Sequence, residues 1–144
     1  MLVECPETEE LEECAAFIRE LLTESGAEDA LTEVCGPAFP PVLNSILRQY
    51  LANLLNVCNS AETRFSCVGG VLLGYRVNLT EEQAENLGFA PDQCVTVEEI
   101  LDLAEEVLNA CGITYSTATL NTLADVLNFM AQDADVTIIE PVFC

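Results

Sequence analysis

Eight cysteines are the residues with the most chemistry to offer. They stand at Cys5, Cys14, Cys35, Cys58, Cys67, Cys94, Cys111 and Cys144, an even number spread over 144 residues. No two form a C-x-x-C, so the spacing suits neither a zinc ribbon nor a dithiol redox motif. The eight are expected to form a disulfide framework, which requires an oxidising compartment and makes the chain secreted and extracellular. Asn78-Leu79-Thr80 is a glycosylation sequon of the kind used on that route, which makes Asn78 a candidate glycoprotein site. Met1-Leu2-Val3 lacks the basic start and apolar run of a signal peptide, so a removed leader replaced by an added Met is expected.

Helix geometry restricts which cysteines can meet. A continuous helix from Thr96 to Cys111 would hold Cys94 and Cys111 roughly 20 Å apart at about 1.5 Å per residue, beyond the ~7 Å between bonded Cα atoms. Cys5 with Cys14 fails for a similar reason. Cys14 with Cys35 would close a hairpin of the first two helices, and Cys58 with Cys67 would close the turn after the central helix. Cys5, Cys94, Cys111 and Cys144 receive no assignment from this argument.

The carboxylates come next. There are 25 Asp and Glu against four arginines, with no Lys and no His, for a net charge of −21 and a pI near 4.1. Such a surface repels nucleic acid and anionic lipid, while leaving cationic partners or weakly held calcium open. The absent residue types remove a lysine Schiff base, a histidine general base, Ser-His and Cys-His nucleophile pairs, and histidine metal ligands. With so many acids, no single carboxylate pair points to glycoside hydrolysis. The chain is read as no enzyme, with no cofactor, no metal site and no catalytic residues. The run Glu7 to Glu13 does not alternate ligands around a glycine as a calcium loop does; it suits the positive end of a helix dipole.

The elements that must position these groups are helical. Hydrophobic residues make up 51% of the chain at a mean hydropathy of +0.32, which excludes disorder, and no apolar run approaches a membrane span. Pro40 to Asn59 is the organising stretch. Val42, Leu43, Ile46, Leu47, Tyr50, Leu51, Leu54, Leu55 and Cys58 recur at three- and four-residue spacing, and the two prolines suit a helix start. Its other face is polar without a carboxylate. Asn44, Arg48, Gln49, Asn53 and Asn56 on it are interface candidates, against the plainer reading of a core helix wrapped by its neighbours.

Around this segment the spacing predicts a helix over 7–25 ended by Gly26, and another over 28–35 with Ala30, Leu31 and Val34 inward, stopped by Gly36-Pro37. Residues 62–73 read as a helix weakened by Gly69 and Gly70, or as a loop leading to a short strand around 75–79. Thr80-Glu81-Glu82-Gln83 and Thr96-Val97-Glu98-Glu99 are capping boxes, the first opening a short helix closed by Gly88, the second a longer one with an acidic outer face. A last helix covers 117–132, and the β-branched run 136–139 reads as an extended tail fixed by Cys144. The fold class is therefore all-α. It is an irregular, disulfide-stapled bundle of five to six helices forming a single domain over 1–144, with at most one short extended or strand segment near the C-terminus.

Charge is unevenly distributed. Residues 1–33 carry net −10, residues 34–78 net +2 and residues 79–144 net −13. The expectation is an extracellular structural or assembly protein of a secretion or matrix, kept soluble by its carboxylates. It self-associates through the nearly neutral middle when acid, calcium or salt reduces the repulsion. The alternative is a secreted carrier for a small hydrophobic ligand, with Tyr50, Phe65 and Tyr75 lining its pocket.

Overall fold

Thr23 decides where the first helix lying wholly within the described residues begins. Its hydroxyl accepts the backbone N–H of Gly26 at 3.0 Å and donates to the carbonyl oxygen of Glu20 at 2.6 Å. The helical turn at 19–21 stops there, and α1 (Glu24–Cys35) starts afresh. The break expected at Gly26 thus lies at Leu22 and Thr23. A threonine cap supplies the start, and the glycine serves close packing, since a Cβ at Gly26 would overlap the carbonyl oxygen of Glu20.

The computed structural model describes residues 19–60, 74–131 and 138–144. The expected helix over 7–25 up to Ile18, the 62–73 segment and Phe65 lie outside the described residues. Within α1 the inward positions run Ala27, Leu31, Cys35 at four-residue spacing, the first two fully buried. Val34 falls beside that stripe and is 58% exposed, which corrects its inward assignment. Gly36 ends the helix, its N–H bonded to the carbonyl oxygen of Thr32.

Five helices and two short strands are described. α2 (Val42–Ser60) follows the prolines, whose carbonyl oxygens accept the N–H groups of Leu43 and Asn44 in the first turn. The remaining helices are α3 (Glu81–Leu87), α4 (Val97–Asn109) and α5 (Thr117–Ala131). α3 carries the full capping box: the Thr80 hydroxyl accepts from the Gln83 N–H and the Gln83 side chain accepts from the Thr80 N–H. It ends at Gly88 in the left-handed conformation, φ 84°. In α4 only half of the box forms. Thr96 accepts from the Glu99 N–H at 3.2 Å, while the Glu99 carboxylate accepts from Gln93 at 3.2 Å and does not reach back to the Thr96 N–H.

α2 is the hub. It packs most extensively on α5 and also on α1 and α4, and α5 in turn packs on α3. Leu43, Ile46 and Leu47 have no exposed surface, and Tyr50 and Leu51 almost none. They meet Leu31 from α1, Ile100 and Ala104 from α4, and Leu123 and Leu127 from α5 in one core. Asn86 joins α3 to α5 through its side chain, which donates to Thr122 Oγ1, and through its carbonyl oxygen, which accepts from Thr119 Oγ1.

β1 (Tyr75–Val77) and β2 (Ile139–Phe143) pair antiparallel, with Tyr75 opposite Phe143 and Val77 opposite Ile139. The register shifts between Tyr75 and Arg76, whose partners are Phe143 and Glu140, so β2 carries extra residues at that point. On its other side β1 touches the segment entering α4, with the Val77 N–H on the Val95 carbonyl oxygen. The C-terminal extended segment is present as β2 and finds its partner at 75–77. Gly74 admits the Phe143 ring, which would come within 2.7 Å of a Cβ there.

Candidate functional site

Two disulfides lie among the described residues. Cys35 at the end of α1 bonds Cys111 just past α4, with Cα atoms 5.7 Å apart, and Cys94 just before α4 bonds the terminal Cys144 at 5.9 Å. Cys94 and Cys111 are thus kept apart, as helix rise requires. The Cys14–Cys35 pairing is overturned: α1 places Cys35 against the C-terminal end of α4. Cys111 can reach it because it takes φ 54° and Gly112 φ 67°, folding the chain back under Pro40 and Leu43. No cysteine is free among the described residues. Cys5, Cys14 and Cys67 lie outside them, as does the side chain of Cys58, so the expected Cys58–Cys67 pairing lies outside the described residues as well.

The polar face of α2 turns out to be used within the fold. Asn44 Nδ2 donates to the Glu24 carbonyl oxygen at 2.7 Å, fastening α2 to the first turn of α1, and Asn44 Oδ1 accepts from Arg48 Nε at 2.7 Å. Asn53 is 3% exposed, and its amide donates to the carbonyl oxygens of Gln49 and Leu127. Asn53 is therefore no part of an open face, because α5 packs over it. Gln49 and Arg48 are half-buried, and the side chain of Asn56 lies outside the described residues. Among the described residues of α2, the large apolar side chain that is exposed is Leu55, at 39%.

α4 carries the acidic face expected of it. Ile100, Leu101, Ala104, Val107 and Leu108 point inward, so Glu98, Asp102 and Glu106 are left to solvent, with Glu99 and Glu105 half-buried. Glu105 Oε2 accepts a 3.4 Å hydrogen bond from the Tyr50 hydroxyl at the core margin. Burial, with the negative charges of Glu105 and Asp102, raises the Tyr50 pKa well above the ordinary tyrosine range. Tyr115 is raised too, by burial and by Glu106. Among the described residues no three metal-ligating side chains converge on one point.

Asn78 sits half-buried where the chain leaves β1, its N–H bonded to the Ile138 carbonyl oxygen at 2.7 Å. Tyr75 is half-buried and rests on Phe143, with ring centroids 5.2 Å apart. Neither it nor Tyr50 lines any of three clefts bounded by described residues. These clefts lie between α1 and the start of α2 (about 380 Å³), against Asp102, Glu105 and Glu106 on α4 (about 600 Å³), and around Glu81, Glu85 and Phe89 at α3 (about 680 Å³). Each opens to solvent and each contains carboxylates. Sequence reasoning missed the first of them; the signal available was the four-residue spacing of Glu24, Glu28 and Thr32 facing that of Asn44 and Arg48.

Among the described residues no helix is long and apolar enough to cross a membrane. No family model, no curated protein and no solved structure matches the chain, so the functional reading rests on these residues and their geometry.

Proposed function

We propose that the protein is a non-catalytic extracellular component of a secretion or matrix, held apart by its own carboxylates and assembling when they are neutralised. The observation that carries this reading is the segregation of charge. Four arginines can offset few of 25 carboxylates, and residues 79–144, which supply the outer face of α4, contain no cation at all. Dense like charge keeps copies apart, and protons, divalent ions or salt weaken that repulsion. Calcium in this scheme acts as a diffuse counterion. The acid-poor segment 34–78 is where two copies meet with least repulsion, and Leu55 is its exposed apolar contact on α2. Disulfides suit this setting, since they persist where thiols are oxidised.

Sedimentation velocity tests it, from about pH 7.5 to about pH 5 with and without millimolar calcium, a range that approaches the ordinary glutamate pKa of about 4.3. Wild type is expected to shift from monomer toward dimers or larger species as pH falls or calcium rises, and Leu55→Glu to shift less. A wild type that stays monomeric throughout and co-purifies with lipid would sink the assembly reading in favour of a hydrophobic-ligand carrier. The three described clefts, open and acid-lined, give that alternative no support.

A further inference from the structure

The cleft between α1 and the start of α2 is lined by both signs of charge, Glu24 and Glu28 with Arg48. α1 lines one wall with Glu24, Glu28 and Thr32, which its 3.6-residue turn places on one face, and α2 lines the other with Asn44, Ser45 and Arg48. The connection between the helices adds Phe39 to the lining, half-buried against the core. Arg48 is aimed. Its Nε donates to Asn44 Oδ1, and Asn44 is itself fixed by its bond to the Glu24 carbonyl oxygen, both at 2.7 Å. Asn44 is the one hydrogen-bond partner the described residues give Arg48, so the outer edge of the guanidinium is left for another acceptor.

We propose that this cleft binds a small zwitterion carrying an apolar group, of which an aromatic α-amino acid is the simplest case. A purely anionic ligand would gain Arg48 but meet Glu24, Glu28 and the field of a chain at net −21. A purely cationic one would gain the glutamates but lie against a fixed guanidinium. A zwitterion satisfies both walls. Its carboxylate takes the outer edge of Arg48 in the paired geometry that guanidinium favours, its ammonium faces Glu24 and Glu28, and its apolar group lies on Phe39. The cleft volume of about 380 Å³ admits such a molecule with water around it.

The probe is L-phenylalanine, titrated into the ¹⁵N-labelled, oxidised full chain. Saturable amide shifts are expected at Thr32, Phe39, Ser45 and Arg48, with a dissociation constant on the order of millimolar, as solvent-screened charge contacts allow. Two analogues divide the molecule: 3-phenylpropanoate lacks the ammonium and phenethylamine lacks the carboxylate. Each should bind the cleft about fivefold more weakly or worse, the factor for losing roughly 1 kcal/mol. Arg48→Gln should weaken L-phenylalanine binding about fivefold or more, and should tighten phenethylamine, which no longer lies against the guanidinium. Should Arg48→Gln fail to fold, Glu28→Gln at an exposed position carries the test, weakening L-phenylalanine but not 3-phenylpropanoate. The absence of saturable shifts in the cleft up to about 20 mM, a level that would reveal any millimolar site, overturns the proposal. So does phenethylamine binding the cleft as tightly as L-phenylalanine, which would reduce it to attraction by an acidic surface.

Discussion

Asn53 on α2 donates its side-chain amide to the backbone carbonyl oxygen of Leu127 on α5 at 3.0 Å, in a position with almost no access to water. The bond joins the two most extensively packed helices, and the second amide hydrogen is held by the Gln49 carbonyl oxygen at 2.8 Å. Replacing Asn53 by Ala opens a small void and removes both donors. The expected loss is about 1–3 kcal/mol, measured by urea unfolding of the oxidised protein. Asn53→Glu is expected to cost more, because it places an unpaired charge where only 3% of the residue is exposed.

The Asn53 contact also shows where sequence reading reaches its limit. A polar residue opposite an apolar stripe reads as solvent-facing, and nothing local distinguishes an asparagine that faces water from one roofed by another helix. What was legible was written in local chemistry: the Thr80 and Thr96 caps, the left-handed Gly88, the proline-led start of α2 and the buried stripes of α4 and α5. Gly26 misled because glycine signals both a stop and a close approach, and Thr23 had already supplied the boundary. The partner of Cys35 was hidden for a different reason. Its bond spans 76 residues, and reaching it requires the positive φ angles at Cys111 and Gly112, which follow from tertiary packing.

The disulfides should dominate stability. Closing loops of 76 and 50 residues restricts the unfolded chain by about 4 kcal/mol each in the chain-entropy estimate. The double variant Cys35→Ala/Cys111→Ala is expected to show a large drop in its denaturation midpoint. Thiol titration of denatured, unreduced wild type should find Cys35, Cys94, Cys111 and Cys144 unreactive.

High pH offers a separate handle through Tyr50. Its folded pKa lies above the ordinary value of 10.0, so between the two the unfolded chain releases the phenol proton and the native state keeps it. The unfolded state then binds fewer protons, and stability falls as pH rises. The contribution is fully present below about pH 10 and is lost as pH rises toward the folded pKa. Urea midpoints of wild type should therefore decline above pH 10 more steeply than those of Tyr50→Phe. Equal slopes would show that Tyr50 is not the group responsible.

Two glycine substitutions should separate space from backbone conformation. Gly26→Ala forces a methyl into the Glu20 carbonyl oxygen, so the backbone must move; about 2 kcal/mol or more is expected. Gly88→Ala meets nothing within 4 Å and bears only the left-handed conformation at φ 84°, about 1 kcal/mol. Thermal unfolding of the pair against wild type gives the order.

The two cross-links interlock along the sequence, since Cys94 lies inside the span closed by Cys35 and Cys111, while Cys144 lies beyond it. A protease that nicks the backbone once anywhere between Cys35 and Cys144 therefore cannot release a fragment. A cut before Cys94 leaves its products joined through Cys35–Cys111, a cut after Cys111 leaves them joined through Cys94–Cys144, and a cut within α4 leaves both bonds holding. Nicked molecules keep their full mass until they are reduced, so damage of this kind in an extracellular setting would accumulate in place instead of shedding pieces.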